Sequence, residues 1–464
     1  MGFERFEYVF FIGAGGIGMS ALARFFKLSG KTVAGYDRTS TPLTQRLSGE
    51  GITIFFVDDP SLIPSNFADP STTLVILTPA VKSDNLIYQY FKNNGFEIVK
   101  RSEVLGTITA IYSLIAVAGT HGKTTVSTMV AHILKHSKVG CTAFLGGISK
   151  NYGTNFLFSA VSEFAVAEAD EFDRSFLRLN PLFAVITSAD ADHLDIYGTA
   201  GEMQEAFSAF ACQVKSNGFL LVKKGLNLNL KNVKASKIST YTLDNEESGY
   251  FASNIKTDAD SASFDLNFEG GIITGLGLGI TGLMNVENAV AACALALKAG
   301  ISEEELRLGL QTFKGINRRF DVQFKSDKIV YIDDYAHHPE EIKALVKSVR
   351  SVYSGRKITG IFQPHLFTRT RDFADGFAES LGLLDEVILL DIYPAREKPI
   401  EGVTSAMIFD KIENSEKYLC SKNEILAALE QRSFDVLLTI GAGDIDQLVV
   451  VIKDWLDSEN LKPK

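Results

Sequence analysis

Short apolar runs rich in Val, Ile, Phe and Tyr, each closed by Gly, Pro or Asp, recur along the chain between stretches whose apolar positions fall three and four apart. That alternation predicts buried strands of parallel sheets joined by amphipathic helices. In residues 8–112 the strands are EYVFFIG, KTVAGYD, GITIFFV, TLVILTP and FEIVK; a second series begins at LIAVAG and continues through FAVAEAD, FAVITSA and GFLLVKK. Residues 231–280 change character, because SFDLNFEGGIITGLGLGI alternates apolar and polar positions and so predicts an antiparallel appendage. Two helices follow, NVENAVAACALALKAG and SEEELRLGLQTF. A third series then runs through KIVYIDDY, a helix opened by Pro339, KITGIFQPH, DEVILLDIYP and FDVLLTIGAG. The expected fold is α/β in three domains: a Rossmann-like domain at 1–112, a central α/β domain with the antiparallel appendage at 113–316, and a Rossmann-like domain at 317–464.

Composition narrows the class. With 464 residues, 46% hydrophobic and 22% charged, the chain can bury sizeable cores. A net charge of −10 with both signs interspersed argues against nucleic acid or an anionic membrane as partner. No apolar run reaches the ~18 residues that cross a bilayer, and MGFERFEY has no signal-peptide pattern. The expectation is a cytoplasmic protein, monomer or homodimer. Cys141, Cys212, Cys293 and Cys420 form no C-x-x-C pair, so free thiols in the core are expected rather than a disulfide or zinc framework.

Two glycine-rich turns carry candidate chemistry. In FFIGAGGIGMSALA, Gly13, Gly15 and Gly18 have G-x-G-x-x-G spacing between a strand and a helix, and Asp37 closes the next strand. Such a turn places a diphosphate on backbone amides and on the helix N-terminus, with Gly16 and Ile17 at the helix start. By itself it leaves open a nicotinamide or flavin dinucleotide and any other diphosphate ligand. GTHGKTTVSTMVAHIL, at 119–134, lies between a buried run and a helix and resembles a Walker A loop two residues short. Gly119, Thr120, Gly122 and Thr125 would cradle phosphates, Lys123 would meet the β/γ charge, and the Thr124 hydroxyl could ligate Mg²⁺. If this loop takes ATP, the first is free to hold a nucleotide sugar.

GAGGIGMSALA, GTHGKTT, EADEFDRSF, DADHLDIY, MNVENA, RRFD, DDYAHHPEE and QPHLFTRTRDF resemble, in this order, the motifs of the Mur ligases, in the branch that adds L-alanine. The resemblance spans nearly the whole chain. It implies ATP and Mg²⁺ as cofactors, UDP-N-acetylmuramate and L-alanine as partners, and amide formation through an acyl phosphate of the lactyl carboxylate. Thr124, Glu168 and His193 match the magnesium positions. Lys123, His193, Arg319 and Asp334 match the catalytic ones, and Asn285 and Asn288 the adenine side. Tyr335, His365 and Arg369 match positions near the incoming amino acid. The implied UDP-sugar set is Gly13, Gly15, Gly16, Ile17, Gly18, Asp37 and His121. Closure of the third domain is expected to shield the acyl phosphate from water.

The residues also suit the chemistry directly. Carboxylate and γ-phosphate repel, so cations must stand around them; a guanidinium at Arg369 would fork onto an alanine carboxylate. Glu171, Asp173, Asp190, Asp192 and Asp195 are expected to divide between tuning a metal and facing solvent. His337 and His338 are expected to diverge, one packing on its loop and one near substrate. His132 and His136 read as surface residues rather than a zinc pair. Two departures from the family stand out: Met284 where a histidine is common, and Leu366 where many relatives carry arginine. No lysine lies between His193 and Lys215 to be carbamoylated, in keeping with the alanine-adding branch.

Three other readings remain open. A murein peptide ligase uses the same UDP-sugar but tends to carry Phe at the position of Tyr335. An NAD-dependent oxidoreductase would use the first loop and leave the second without purpose. A nucleotide-switched binding module would not need the cation set spread over the chain.

Overall fold

The computed structural model describes residues 2–460 apart from 191, 193, 245, 396, 414 and 415. They divide into two compact units, Met1–Ser253 with Asp265–Leu276 and Glu287–Phe313, and Asn254–Phe264 with Gly277–Val286 and Lys314–Lys464.

The first sheet consists of β1 (Tyr8–Ile12), β2 (Thr32–Tyr36), β3 (Thr53–Phe55), β4 (Thr73–Leu77) and β5 (Glu97–Lys100), in the order β3-β2-β1-β4-β5. All neighbours are parallel, with β1 at the centre. Successive side chains of β1 feed opposite cores. Val9 and Phe11 pack with Leu22, Phe25 and Phe26 of the helix Ile17–Leu28, while Phe10 and Ile12 pack with Phe67 and Phe91. Because both faces are covered, the strand reads as a continuous apolar run instead of an alternation.

The second sheet contains β6 (Ser113–Ala118), β7 (Thr142–Phe144), β8 (Phe156–Leu157), β9 (Phe164–Ala169), β10 (Phe183–Ile186), β11 (Phe219–Lys223), β12 (Lys237–Tyr241), β13 (Tyr250–Thr257), β14 (Ala262–Phe268) and β15 (Gly271–Leu278). Its order is β15-β14-β13-β12-β11-β10-β6-β9-β7-β8. β6, buried from Leu114 onward, sits between β9 and β10, parallel to both. Leu114, Ala116 and Ala118 pack against Phe176, Phe207 and Phe210, the last of these stacked on Phe176 at 5.2 Å. Each fully buried ring of this kind contributes roughly 1.5–3 kcal/mol. The expected appendage begins later than its sequence suggests. β12 still pairs parallel to β11, and only β13, β14 and β15, joined by tight turns, form the antiparallel meander.

The third sheet, of β16 (Asp321–Lys325), β17 (Val330–Asp334), β18 (Ile358–Phe362), β19 (Glu386–Leu389), β20 (Glu416–Leu419) and β21 (Val436–Ile440), runs β16-β17-β21-β18-β19-β20. β16 is antiparallel to β17, and the other pairs are parallel.

Two expectations are corrected here. Cys141 and Cys293 are buried, but Cys212 is exposed and Cys420 only half-buried. His132 is fully buried, its ring between the Tyr152 hydroxyl (2.8 Å) and Thr312 Oγ1 (3.0 Å), whereas His136 is exposed. The helical spacing placed both on one face, but the long helix Lys123–Lys135 is covered there by its neighbour Glu303–Thr312. Among the described residues no helix is long and apolar enough to cross a membrane.

Candidate active site

The glycine turn of GTHGKTT leaves the carboxyl end of β6, the central strand, where doubly wound sheets present ligands. Gly119 (φ +138°) and Gly122 (φ +81°) take backbone conformations that L side chains rarely adopt, and a β-carbon on Gly119 would stand 2.1 Å from Thr187 Oγ1. The loop enters the helix Lys123–Lys135 at Gly122 with no side chain capping it, which leaves its first amides to backbone geometry alone. Thr120 Oγ1 meets Ser188 Oγ at 2.8 Å, and the His121 N–H donates to Ser188 Oγ at 2.7 Å, so the end of β10 braces the loop. The His121 ring lies 3.6 Å from Asp190. Thr124 and Thr125 are buried in the first helical turn. Gly122 also lies against Asn288, whose Oδ1 would be 3.0 Å from an added β-carbon.

Parallel register supplies the next group. Glu168 of β9 pairs with Val117 of β6, one residue short of the loop. Its Oε2 accepts the Thr124 hydroxyl at 2.9 Å. Two residues distant in sequence thus present oxygens at one point, a donor set suited to Mg²⁺, which prefers oxygen and retains water and phosphate ligands. His193, the third expected member, lies outside the described residues. Among the described residues no cluster of three His, Cys, Asp or Glu side chains could hold a metal by itself.

Lys123 is held by the loop and by an acid. Its ammonium donates to Gly119 O, to Thr120 O at 3.3 Å and to Glu171 Oε1 at 2.9 Å, with Glu171 Oε2 at 2.6 Å. Burial opposes the lysine charge, but Glu171, Glu168 and Asp170 outweigh it and raise the group above its ordinary value. Asp170 pairs with Arg101 at 2.9 Å. Of the acids expected to tune a metal or face solvent, Glu171 instead partners the lysine and Asp192 is buried; Asp195 lies outside the residues whose side chains are described.

At the first glycine turn, Gly13 (φ +89°) abuts Thr78, where a β-carbon would come within 2.3 Å of Cγ2. No side chain caps the helix that begins at Ile17 after Gly16. Asp37 turns inward, with Oδ2 accepting the Gly15 N–H at 2.7 Å and Oδ1 the Thr39 N–H at 3.1 Å. The carboxylate therefore shapes the turn, and this is the contact an acid at that spacing makes here. Gly18 lies under Arg101, whose Nη1 would be 2.3 Å from an added β-carbon.

In the second unit, β17 ends at Asp334. Its Oδ2 accepts the Phe320 N–H at 2.6 Å and its Oδ1 the Ala336 N–H at 2.8 Å. Burial pushes this carboxyl up to about 6, against the opposing pull of Arg319 and the two amides. Arg319 sits 3.6 Å from Glu341, and both Arg319 and Arg318 lie over the Tyr335 ring, at 5.0 and 5.1 Å. Arg318 also pairs with Asp333 at 3.2 Å. Rings continue from Tyr335 to His337 (5.3 Å), His365 (6.3 Å) and Tyr393 (5.8 Å). The adjacent histidines diverge. His338 caps the helix Pro339–Val352 and packs on Phe373, while His337 faces Glu341 and the ring series. Arg369 is buried in the short helix Phe367–Asp372, which Leu366 (φ +71°) opens. Asn285 donates to Thr281 O at 2.7 Å, within its own turn, and Met284 packs on the core of this unit.

Three family models match successive parts of the chain: Mur ligase family, catalytic domain, at residues 8–113; Mur ligase middle domain at 117–296; and Mur ligase, glutamate ligase domain, at 318–443. The chain belongs to the Mur ligase family. This Mur ligase is 51% identical to the UDP-N-acetylmuramate–L-alanine ligase of Porphyromonas gingivalis strain W83 over 97% of the chain and 99% of the relative. It is also 51% identical to the protein of that name from Phocaeicola vulgatus, over 99% and 100%. Its fold matches the crystal structure of UDP-N-acetylmuramate–alanine ligase from Thermotoga maritima with a TM-score of 0.81 at 29% identity, covering 97% of this chain and 99% of that one. A murein peptide ligase from Psychrobacter arcticus shares the fold, with a TM-score of 0.69 at 22% identity over 96% and 98%.

Several supporting residues escaped sequence reading. Ser188, Arg101 and Asn155 act through partners far along the chain; Asn155 donates to Ile17 O at 2.6 Å and to Ser20 Oγ at 3.1 Å, tying the first helix to β8. Nothing local marks an asparagine for such a task. Glu171 carried a signal, its place in EADE beside a strand end, but not a partner.

Proposed function

We propose that this Mur ligase joins L-alanine to the lactyl carboxylate of UDP-N-acetylmuramate, consuming ATP, in the supply of peptidoglycan precursor in the cytoplasm. The observation that carries the reading is identity of about half the residues, at nearly full length, to ligases of that name. The proposed division of labour follows the segments 1–112 for the UDP-sugar, 113–316 for ATP, and 317–464 for the amino acid and the nucleotide phosphates.

In this reading the turn at Gly13, Gly15, Gly16, Ile17 and Gly18, shaped by Asp37 and joined by His121, holds the UDP-sugar diphosphate. Gly119, Thr120, Gly122, Thr124 and Thr125 hold the ATP phosphates on backbone amides and hydroxyls, with Asn285 and Asn288 on the adenine side. Lys123 and Arg319 offset the repulsion between γ-phosphate and carboxylate as the acyl phosphate forms. Asp334, fixed by two amides, belongs to the same nucleotide set. Thr124 and Glu168, with His193, would hold Mg²⁺; the convergence of the Thr124 and Glu168 oxygens supports that fit. Bound there, the ion supplies further positive charge to the phosphates. Tyr335, His365 and Arg369 receive L-alanine, whose amine displaces phosphate from the acyl carbon.

The test is phosphate release from ATP in the presence of UDP-N-acetylmuramate with L-alanine, D-alanine, a peptidoglycan tripeptide or no amine. Release that depends on L-alanine is the expected result. Turnover with tripeptide alone would move the assignment to a murein peptide ligase, and a nicotinamide-dependent absorbance change to an oxidoreductase.

A further inference from the structure

We infer that Glu171 is a positioning residue for Lys123: it stays paired with the lysine while a nucleotide phosphate takes the place of a backbone carbonyl. The inference rests on the ligase reading of this site. An ammonium has three N–H donors and no acceptor. In Lys123 the donors go to Gly119 O, Thr120 O and Glu171, so a phosphate oxygen can be met only by giving one of them up.

The three partners are unequal. Thr120 O is neutral and the most distant of the three, at 3.3 Å, and its loss leaves a carbonyl at the mouth of a phosphate cradle. Glu171 is the one acid among them, its side chain only 2% exposed, and its oxygens stand 2.6 and 2.9 Å from the ammonium. Surrendering it would separate a buried acid from the cation it faces, the costlier exchange. The phosphate therefore displaces the Thr120 contact, and Lys123 ends between Glu171 and the phosphate. A flexible four-carbon stem gains a fixed direction in this way.

Glu171 is itself anchored from a second segment. Its carbonyl accepts the hydroxyl of the fully buried Tyr197 at 2.6 Å, and the Arg174 guanidinium lies 5.3 Å from that ring. Asp173 and Arg174 hold φ of +55° and +54°, a left-handed pair that costs energy in non-glycine residues and turns the chain so that Glu171 meets the loop while Arg174 meets Tyr197. Tyr197 thus sets where the Glu171 backbone stands, and Glu171 sets where Lys123 points.

The experiment is steady-state kinetics of phosphate release on the full chain with ATP, UDP-N-acetylmuramate and L-alanine, for the parent, Glu171→Gln, Glu171→Asp, Tyr197→Phe and the double variant Glu171→Gln/Tyr197→Phe. Glu171→Gln keeps an acceptor and removes the charge; kcat is expected to fall by about 30-fold or more while the ATP KM changes by less than about 3-fold. Glu171→Asp is expected to recover part of that kcat, and the double variant to be no worse than Glu171→Gln alone, because both act through one contact. A Glu171→Gln protein with the parent's kcat, or one whose ATP KM rises as far as kcat falls, overturns the inference. Should Glu171→Gln not fold by thermal melting, Glu171→Asp decides by the same split: kcat and KM equal to the parent's, or KM rising alone, overturn it. A parent without phosphate release dependent on L-alanine refutes the ligase reading and this inference with it; a working parent matched by its Glu171→Gln variant refutes the inference alone.

Discussion

Gly146 lies so close beneath Glu168 that a β-carbon on it would stand 1.9 Å from the carboxylate oxygen Oε2. The closeness follows from register, since β7 pairs with β9 at Phe144 and Ala167 and delivers Gly146 to the neighbouring residue. Gly146→Ala must therefore rotate Glu168 away from Thr124. We expect the variant to fold and to lose about 10–100-fold in apparent Mg²⁺ affinity or activity, as displaced metal-site neighbours do. Titration of phosphate release against Mg²⁺ checks this, and an unchanged Mg²⁺ dependence would refute the role given to Glu168.

Lys123→Ala removes the loop's cation and breaks its ion pair with Glu171. Phosphate release is expected to fall by at least about 100-fold, the scale of losing one preorganised donor to developing charge. Binding of UDP-N-acetylmuramate, measured by calorimetry, should be retained, because the turn at Gly13 is a separate structure.

Burial, reinforced by His136, pushes the His132 imidazole down to about 4 from its ordinary 6.5. The folded state thus binds the proton less well than the unfolded one, so the stability His132 contributes is complete above pH 6.5 and is lost as pH falls toward 4. The whole effect is at most about 3 kcal/mol. Urea unfolding of the parent and His132→Gln should show a stability difference that shrinks across this window; a difference constant with pH would mean that folding leaves the proton affinity of the ring unchanged.

Asp334 has the opposite sign. Its carboxyl is raised from 3.8 to about 6, so the folded state holds the proton more tightly, and stability declines as pH rises from about 4 to about 6. Relative to Asp334→Asn, the parent should lose about 3 kcal/mol across that interval. The variant pays a constant penalty as well, since an amide can offer only one acceptor to the two N–H groups now bound. Denaturant melts at pH 4.5 and pH 7 distinguish the two effects.

Much of the fold was legible because the signals were local. EYVFFIG, LIAVAG and FDVLLTIGAG each hold a nearly continuous apolar run, since each lies in a sheet covered on both faces, and each became the strand expected. β7 and β8 were not legible, being only three and two residues long and too short to show a period. β12 was misplaced for a different reason: it lies within residues 231–280, whose alternation comes from SFDLNFEGGIITGLGLGI further on, while KISTY itself pairs parallel to β11. In the site, GTHGKTT announced a glycine turn between strand and helix, yet nothing near Lys123 announces Glu171, and two histidines at helical spacing gave no sign that one would be covered by Glu303–Thr312.

Sequence by itself determined the strand and helix series, the two glycine turns and the family, because each depends on residues close along the chain: side-chain period, a missing β-carbon, an amide at a helix start. Tertiary structure alone decided which acid would face which cation. Register set Glu168 beside Thr124, a left-handed turn set Glu171 on Lys123, and burial drove Asp334 and His132 from their ordinary protonation in opposite directions, since desolvation and distance exist only once remote segments are packed together.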